Sequence, residues 1–163
     1  MMKIEANAAL ALSAVIHSDL AAIEDHERDV SAFDLNNLSN PELHSLGYSI
    51  HNIYNVLANC FTQISLSFEN HVRDTTRWHR ELLDKMFLNI KSLRPAVLPE
   101  ELRSVLGDLL AFRHVFRHTY GSRLDKDKTV ALWNRWSREN ASVKAALTLF
   151  ANELEQQGIQ PNE

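Results

Sequence analysis

Apolar side chains recur every three or four residues along most of the chain, which is the spacing of one face of an α-helix. The first helix is predicted from about Ile4 to about Val30. Its apolar face carries Leu12, Val15, Ile16, Leu20 and Ile23. After a polar connection, Asn40-Pro41-Glu42 predicts the start of a second helix, with an N-cap residue, a proline at the first helical position and an acid near the positive end of the dipole. The second helix is expected to reach about Phe68 and to bury Leu46, Ile50, Ile53, Leu57, Ile64 and either Leu66 or Phe68.

Three further helices are predicted in the second part of the chain. Asp74 is placed to cap the third, which Pro95 is expected to end; its apolar stripe is Trp78, Leu82, Met86 and Ile90. The fourth starts at Leu98-Pro99-Glu100-Glu101 and ends before Gly121, and its apolar face is Leu102, Val105, Leu106, Leu109, Phe112 and Phe116. The fifth is expected from about Asp127 to Gln157, with Gly158 after it, and its apolar residues are Val130, Trp133, Val143, Leu147, Phe150 and Leu154.

These elements predict an all-α protein, an antiparallel bundle of about five helices. No alternating apolar pattern is long enough to indicate a strand. A chain of 163 residues suits one hydrophobic core, so residues 1–163 are expected to form a single domain.

The composition indicates a soluble protein of a reducing compartment. Cys60 is the only cysteine and has no partner for a disulfide. The first twenty residues have the early lysine and apolar run of a signal peptide, but Glu5 precedes the run and its spacing is that of an amphipathic helix. No window reaches the roughly 18 consecutive apolar residues of a membrane span. We therefore expect a cytoplasmic protein without a membrane partner.

The net charge of −4 argues against a broad basic surface for nucleic acid, so any contact with RNA must be local. Two segments concentrate the positive charge. One contains Arg73, Arg77, His79 and Arg80, and the other contains Arg113, His114, Arg117, His118 and Arg123.

The second basic segment carries a recognisable motif. In Phe112-Arg113-His114-Val115-Phe116-Arg117-His118-Thr119-Tyr120-Gly121, four residues separate Arg113 from His118, and one more separates His118 from Tyr120. This arrangement resembles the signature of HEPN ribonucleases in the form found in HepT toxins. The segments Gly47-Tyr48-Ser49-Ile50-His51-Asn52-Ile53-Tyr54-Asn55 and Trp78-His79-Arg80-Glu81-Leu82-Leu83 resemble the second and third helices of the same family, so the resemblance covers most of the chain. One departure is Ala58, which stands where the family usually has a glutamate.

The resemblance implies a metal-independent endoribonuclease, the toxin of a type II toxin–antitoxin system, which needs no cofactor. It implies a homodimer that brings two motifs to one cleft. It also implies that Tyr120 is where a nucleotidyltransferase-type (MNT) antitoxin attaches adenylate. Asn52 and Asn55 are expected to orient the motif, whereas His51, Tyr54, Trp78 and His79 are assigned to the core or an interface.

The residue chemistry suits this reaction. When the 2′-hydroxyl of RNA attacks the adjacent phosphorus, a proton must move and charge grows on the phosphoryl oxygens. His118 suits the first task as a base or acid near neutrality, and Arg113 suits the second as a forked, permanently charged phosphate ligand. The two residues are five apart, about 140° around a helix, so they share a face only if the last turn unwinds or a dimer mate completes the site. Supporting roles go to Arg117, one turn after Arg113, and to His114, one turn before His118.

Other interpretations remain open. His114 and His118 have the spacing of two metal ligands, but no nearby carboxylate or cysteine completes a zinc site. Basic residues at a helix C-terminus also simply complement its dipole. Ala58 and the acidic net charge favour a second function, a catalytically inactive HEPN-type binding or antitoxin module.

Overall fold

The computed structural model describes residues 2–69, 78–118 and 124–159. Within these ranges it contains five α-helices and no strand, which confirms the predicted all-α class. The helices are α1 (Ala6–Val30), α2 (Asn40–Glu69), α3 (Trp78–Met86), α4 (Arg103–His118) and α5 (Lys126–Ile159). One turn of 3-10 helix, Glu100–Leu102, leads into α4.

Helix α2 lies at the centre of the bundle and contacts the other four helices. Its inward side chains are completely or almost completely buried: Leu46, Ile50, Ile53, Leu57, Phe61 and Ile64. At its end, Phe68 is buried and Leu66 is exposed, which settles the alternative left by the sequence. The apolar stripe of α2 therefore forms the centre of the hydrophobic core.

Contacts between side chains define an antiparallel arrangement. Along α1, Ser13 contacts Glu155 of α5, and Glu27, further on, pairs with Lys144, an earlier residue of α5. Helix α2 likewise runs opposite to α4, since His51 packs on Phe116 and the later Asn55 bonds to the earlier Arg113.

The helix starts differ slightly from the prediction. Ser39, and not Asn40, is the cap of α2: its hydroxyl accepts from the amide of Glu42 (3.3 Å), and the Glu42 carboxylate accepts from the amide of Ser39 (2.8 Å). This reciprocal pair is a capping box, which the sequence shows as Ser-x-x-Glu. At α5, the Asp125 carboxylate accepts from the amide of Lys128 at 3.0 Å. Asp125 therefore caps the helix, which begins at Lys126.

The predicted end of the third helix is wrong, because α3 ends at Met86 and not at Pro95. Ile90 lies in a turn that is closed by a bridge to Arg94, with Ser92 at φ +68°. The side chain of Arg94 is fully buried and donates to the carbonyl oxygens of Lys85 and Leu88, both at 3.2 Å. The buried guanidinium thus supplies hydrogen-bond donors to backbone carbonyl groups at the end of α3. The helix therefore ends here, and a turn follows.

Gly158 does not end the fifth helix either, since α5 continues through Ile159. A Cβ atom on Gly158 would lie 2.9 Å from the carbonyl oxygen of Ala6 and 2.7 Å from Cγ of Leu10. The glycine therefore permits a close approach of α5 to the start of α1.

By length and composition, α1 is long and apolar enough to cross a membrane, with a mean hydropathy of 1.4. The criterion of unbroken apolar runs does not detect this, because polar residues interrupt the run while the average hydropathy stays high. In the bundle, α1 buries Leu12, Ile16 and Ile23 and packs against α2 and α5.

Candidate active site

Arg113 is held by a chain of two hydrogen bonds that begins on α2. It lies on α4, half-buried, and its Nε donates to Oδ1 of Asn55 at 2.6 Å. The Asn55 amide nitrogen Nδ2 is in turn 3.0 Å from Nε2 of His51, one helical turn earlier. The antiparallel packing of α2 against α4 thus fixes the direction of the guanidinium.

Two histidines lie near Arg113 and Arg117. Burial lowers the pKa of His51 and of His79, and the positive charges of Arg113 and Arg117 lower both pKa values further. The ring of His51 packs on Phe116, with centroids 5.0 Å apart. The Nδ1 atoms of both histidines are buried and find no hydrogen-bond partner in the described part of the chain. Both rings are therefore neutral near pH 7.

The arginines at this site differ from most of those elsewhere in the described part of the chain. Arg94, Arg103 and Arg135 each pair with a carboxylate, but within residues 2–69, 78–118 and 124–159 no carboxylate pairs with Arg113 or Arg117. Burial lowers the pKa of Arg113, and the charge of Arg117 lowers it further.

Arg80 adds a third positive charge without a carboxylate partner among the described residues. Its guanidinium lies beside Gly107 of α4, 3.5 Å from where a Cβ atom would stand. Arg80 and Arg113 both act on the buried hydroxyl group of Tyr54, which also feels the charge of Asp84, and Arg117 acts on Arg113. Together, Arg80, Arg113 and Arg117 give the region where α3 meets α4 an excess of positive charge, suited to an anion.

His118 does not lie in this region. Helix α4 stays regular through His118, and both His114 and His118 are exposed. The Nδ1 atom of His118 is 2.7 Å from the carbonyl oxygen of His114, and the two rings are 4.3 Å apart. The last turn does not unwind at His118. The structure therefore brings together Arg113 with Arg117 and His114 with His118, but it separates Arg113 from His118.

The structure gives Asn55 the orienting contact that the sequence suggested, while no such contact is present for Asn52 in the described part of the chain. The sequence predicts a core or interface position for His51 and His79 and does not predict that both lie beside Arg113. His51 and Asn55 are one turn apart on α2, a spacing that the sequence shows. That spacing indicates a site only once α4 is known to pack against this face of α2.

Other predicted residues add little to this geometry. Tyr120, Gly121, Arg123, Arg73, Asp74 and Arg77 lie outside the described residues. Ala58 is buried and supplies no carboxylate. Where the structure describes the chain, no three His, Cys, Asp or Glu side chains are grouped so that they could hold a metal ion.

Comparison with known proteins identifies the family. The model of the HepT-like protein family matches residues 45–154. No curated protein and no solved structure matches the chain. The family match begins in α2 and ends in α5, includes all three segments that resemble HEPN proteins, and leaves α1 outside. Because this match covers well over half of the chain, the protein belongs to the HepT-like family of HEPN proteins.

Proposed function

We propose that this protein is a metal-independent endoribonuclease, the toxin of a type II toxin–antitoxin system, and that Arg113 and His118 carry the reaction. The observation that supports this most directly is the state of Arg113. Its Nε is fixed by Asn55, its terminal amino groups have no partner among the described residues, and no carboxylate there neutralises it. A guanidinium held in this way is ready to bind a phosphate through two hydrogen bonds.

His118 supplies the proton transfer. Its imidazole is exposed at the end of α4, where substrate can reach it. An imidazole at this place can act as the acid that protonates the leaving 5′-oxygen. His114 supports His118 through their ring contact, and Arg117 adds positive charge beside Arg113.

A homodimer reconciles the separation of Arg113 from His118 with their joint role. Within one regular helix the two side chains leave in different directions, so one protomer does not place both on one phosphate. Two copies related by a two-fold axis would bring Arg113 of each to His118 of the other. The proposed cleft therefore contains both motifs.

The proposed regulator is a nucleotidyltransferase-type antitoxin that attaches adenylate to Tyr120. Tyr120 lies two residues after His118. An adenylate there would add bulk and negative charge beside the site and would compete with the RNA phosphate for its arginines.

Cleavage of transfer RNA in EDTA tests the activity. We expect the unaltered protein to cleave RNA and leave 2′,3′-cyclic phosphate ends, and we expect Arg113→Ala and His118→Ala to lose roughly 100-fold or more of the rate. His44→Gln, at an exposed site on α2, is the matched control. Equal activity in all four preparations would indicate a contaminating nuclease and refute the assignment.

Mixing the two inactive variants tests the shared cleft. If Arg113 of one protomer works with His118 of the other, a mixed dimer contains one intact site, and random exchange restores about a quarter of the activity. If each protomer supplied both residues of a site, mixing would restore none.

The second candidate is a binding module without turnover, favoured by the absence of a carboxylate at Ala58. Such a module would still bind RNA after His118→Ala, and the unaltered protein would leave the RNA intact.

A further inference from the structure

We propose that Asn55 and His51 are positioning residues for Arg113: together they hold its Nε and leave both terminal amino groups to the substrate phosphate. This inference rests on the proposed function for its substrate, but its geometry is independent of activity. The two contacts are short, 2.6 Å from Nε to Asn55 Oδ1 and 3.0 Å from Asn55 Nδ2 to His51 Nε2.

The direction of each hydrogen bond follows from the donor groups. Arginine Nε only donates, so it faces the oxygen of the Asn55 amide. The amide nitrogen of Asn55 also only donates, so Nε2 of His51 must accept and carry no proton. A neutral His51 then has its proton on Nδ1, the buried atom that has no partner among the described residues. The structure thus assigns one tautomer to His51.

The surroundings of His51 maintain this state. From α4, Arg113, Arg117 and Phe116 face the ring, and no acid in the described ranges pairs with it. A protonated His51 would present an N–H group to the amide nitrogen of Asn55 and break the chain of hydrogen bonds. Two nearby guanidinium groups oppose that protonation.

The choice of an amide at position 55 is informative. A carboxylate there would hold Nε of Arg113 equally well, but it would also neutralise the guanidinium and compete with the phosphate. Asparagine directs the group and leaves its charge intact. The same reasoning explains why a neutral histidine, rather than an acid, holds Asn55.

Nitrogen NMR tests the geometry without any activity measurement. We expect His51 to show a protonated Nδ1 and an unprotonated Nε2 at neutral pH, and the Nε–H signal of Arg113 to be protected from exchange with water. Asn55→Ala should abolish this protection, and so should His51→Leu, which has no acceptor. His51→Gln, whose side-chain oxygen can accept, should retain it. A proton on Nε2 of His51, or a protected Arg113 signal in Asn55→Ala, would overturn the proposal.

Cleavage and binding then test the consequence. Relative to the unaltered protein, Asn55→Ala should lower kcat/KM roughly 10- to 100-fold. Asn55→Asp should keep the protected Arg113 signal but bind a 2′-deoxy oligonucleotide at least about tenfold more weakly, because the phosphate loses its charge partner. If the unaltered protein cleaves no RNA but the NMR pattern holds, the proposed function fails and the positioning role stands. If cleavage is normal in Asn55→Ala after the protection is lost, the positioning role fails.

Discussion

Arg94 is fully buried and Arg113 is half-buried, and the two guanidinium groups differ in whether an acid neutralises them. Arg94 is completely buried and donates to Glu69 at 2.5 Å, and Lys85 also pairs with Glu69 at 3.0 Å. Burial alone would raise the pKa of Glu69, but hydrogen bonds from Lys85 and Arg94 outweigh it and lower the pKa. Arg94 is therefore structural, whereas Arg113 keeps its charge available.

Replacing Arg94 tests this structural role. Arg94→Leu should lower the free energy of unfolding by roughly 3 kcal/mol, because it leaves the end of α3 without donors and removes one partner of Glu69. Arg103→Leu is the matched control: Arg103 pairs with two acids, Asp84 and Glu100, but it is more exposed than Arg94, so its loss should be below about 1 kcal/mol. Urea denaturation of both variants measures the difference, and equal losses would contradict the assignment.

The two neutral histidines predict how stability depends on pH. Their pKa values are lowered in the folded protein and return to about 6.5 on unfolding. Between these values the unfolded chain binds more protons, so the free energy of unfolding falls as the pH drops below about 6.5. The double variant His51→Gln/His79→Gln should show a flatter dependence in urea denaturation between about pH 7.5 and pH 5.5.

Glu69 does not interfere with this measurement, because it titrates at lower pH. Its lowered pKa stabilises the fold above about pH 4.5, and this contribution is lost as the pH falls further. His44→Gln, at an exposed site, should leave the curve unchanged. If the double variant follows the same curve as the unaltered protein, the two rings are not held neutral by the site.

Among the elements, the packing of α2 against α4 positions the side chains of the site. Gly47 of α2 allows a close approach at this contact. A Cβ atom on Gly47 would lie 2.7 Å from Leu124 and 3.1 Å from the ring of Phe116. Gly47→Val should therefore displace Leu124, before α5, and Phe116 of α4, and should destabilise the protein by about 1–3 kcal/mol. Gly107→Ala is the matched control, because among the described residues its Cβ would meet Arg80 alone, at 3.5 Å, and alanine favours the helix.

Thermal denaturation compares the two glycine variants. Gly107→Ala should raise the melting temperature, since replacing an interior helical glycine gains about 0.5–1 kcal/mol. Gly47→Val should lower it and should also reduce RNA cleavage, because Phe116 packs on His51, which holds Asn55. A Gly47→Val protein with unchanged stability would show that α4 has room to move.

The sequence predicts a helix well where a single apolar stripe of side chains determines which face is buried. The buried faces of α1, α2 and α5 follow the apolar spacing closely, because burying such a stripe is what forms the helix. The end of α3 could not be predicted this way. Ile90 continues the stripe, but the tertiary contacts of a buried Arg94 favour a turn there.

In the site, too, residue spacing predicts some features, while others depend on tertiary packing. The motif singles out Arg113 and His118, whose catalytic roles stay a prediction. Helical geometry predicts that Arg117 lies near Arg113 and His114 near His118, and the structure shows both pairs close together. The positions of His51 and His79 beside Arg113 could not be deduced from spacing, because they depend on which helices pack together. Whether Arg113 and His118 act on one phosphate depends on the arrangement of two protomers, which stays a prediction.

At the scale of the whole molecule, an acidic protein is proposed to act on an acidic polymer. The net charge of −4 opposes RNA at long range, so affinity must come from local positive charge. Among the described arginines without a carboxylate partner, Arg80, Arg113 and Arg117 lie on α3 and α4 and are proposed to bind the RNA, while Arg138 lies on α5. Each phosphate contact with single-stranded nucleic acid contributes about −0.7 to the slope of log K against log salt concentration. Three contacts therefore predict a slope of roughly −2 for one protomer and roughly −4 for a cleft shared by two.

Titration of a 2′-deoxy oligonucleotide at several salt concentrations measures this slope. Arg117→Gln should make it shallower by about 0.7 per protomer, while Arg138→Gln, at an exposed site on α5, should leave it unchanged. A slope of about −8 or steeper would require more phosphate contacts than this cluster provides and would place the RNA on another surface. A slope near −4 that halves when the dimer is dissociated would show that two protomers hold one strand, because each contributes the same three arginines.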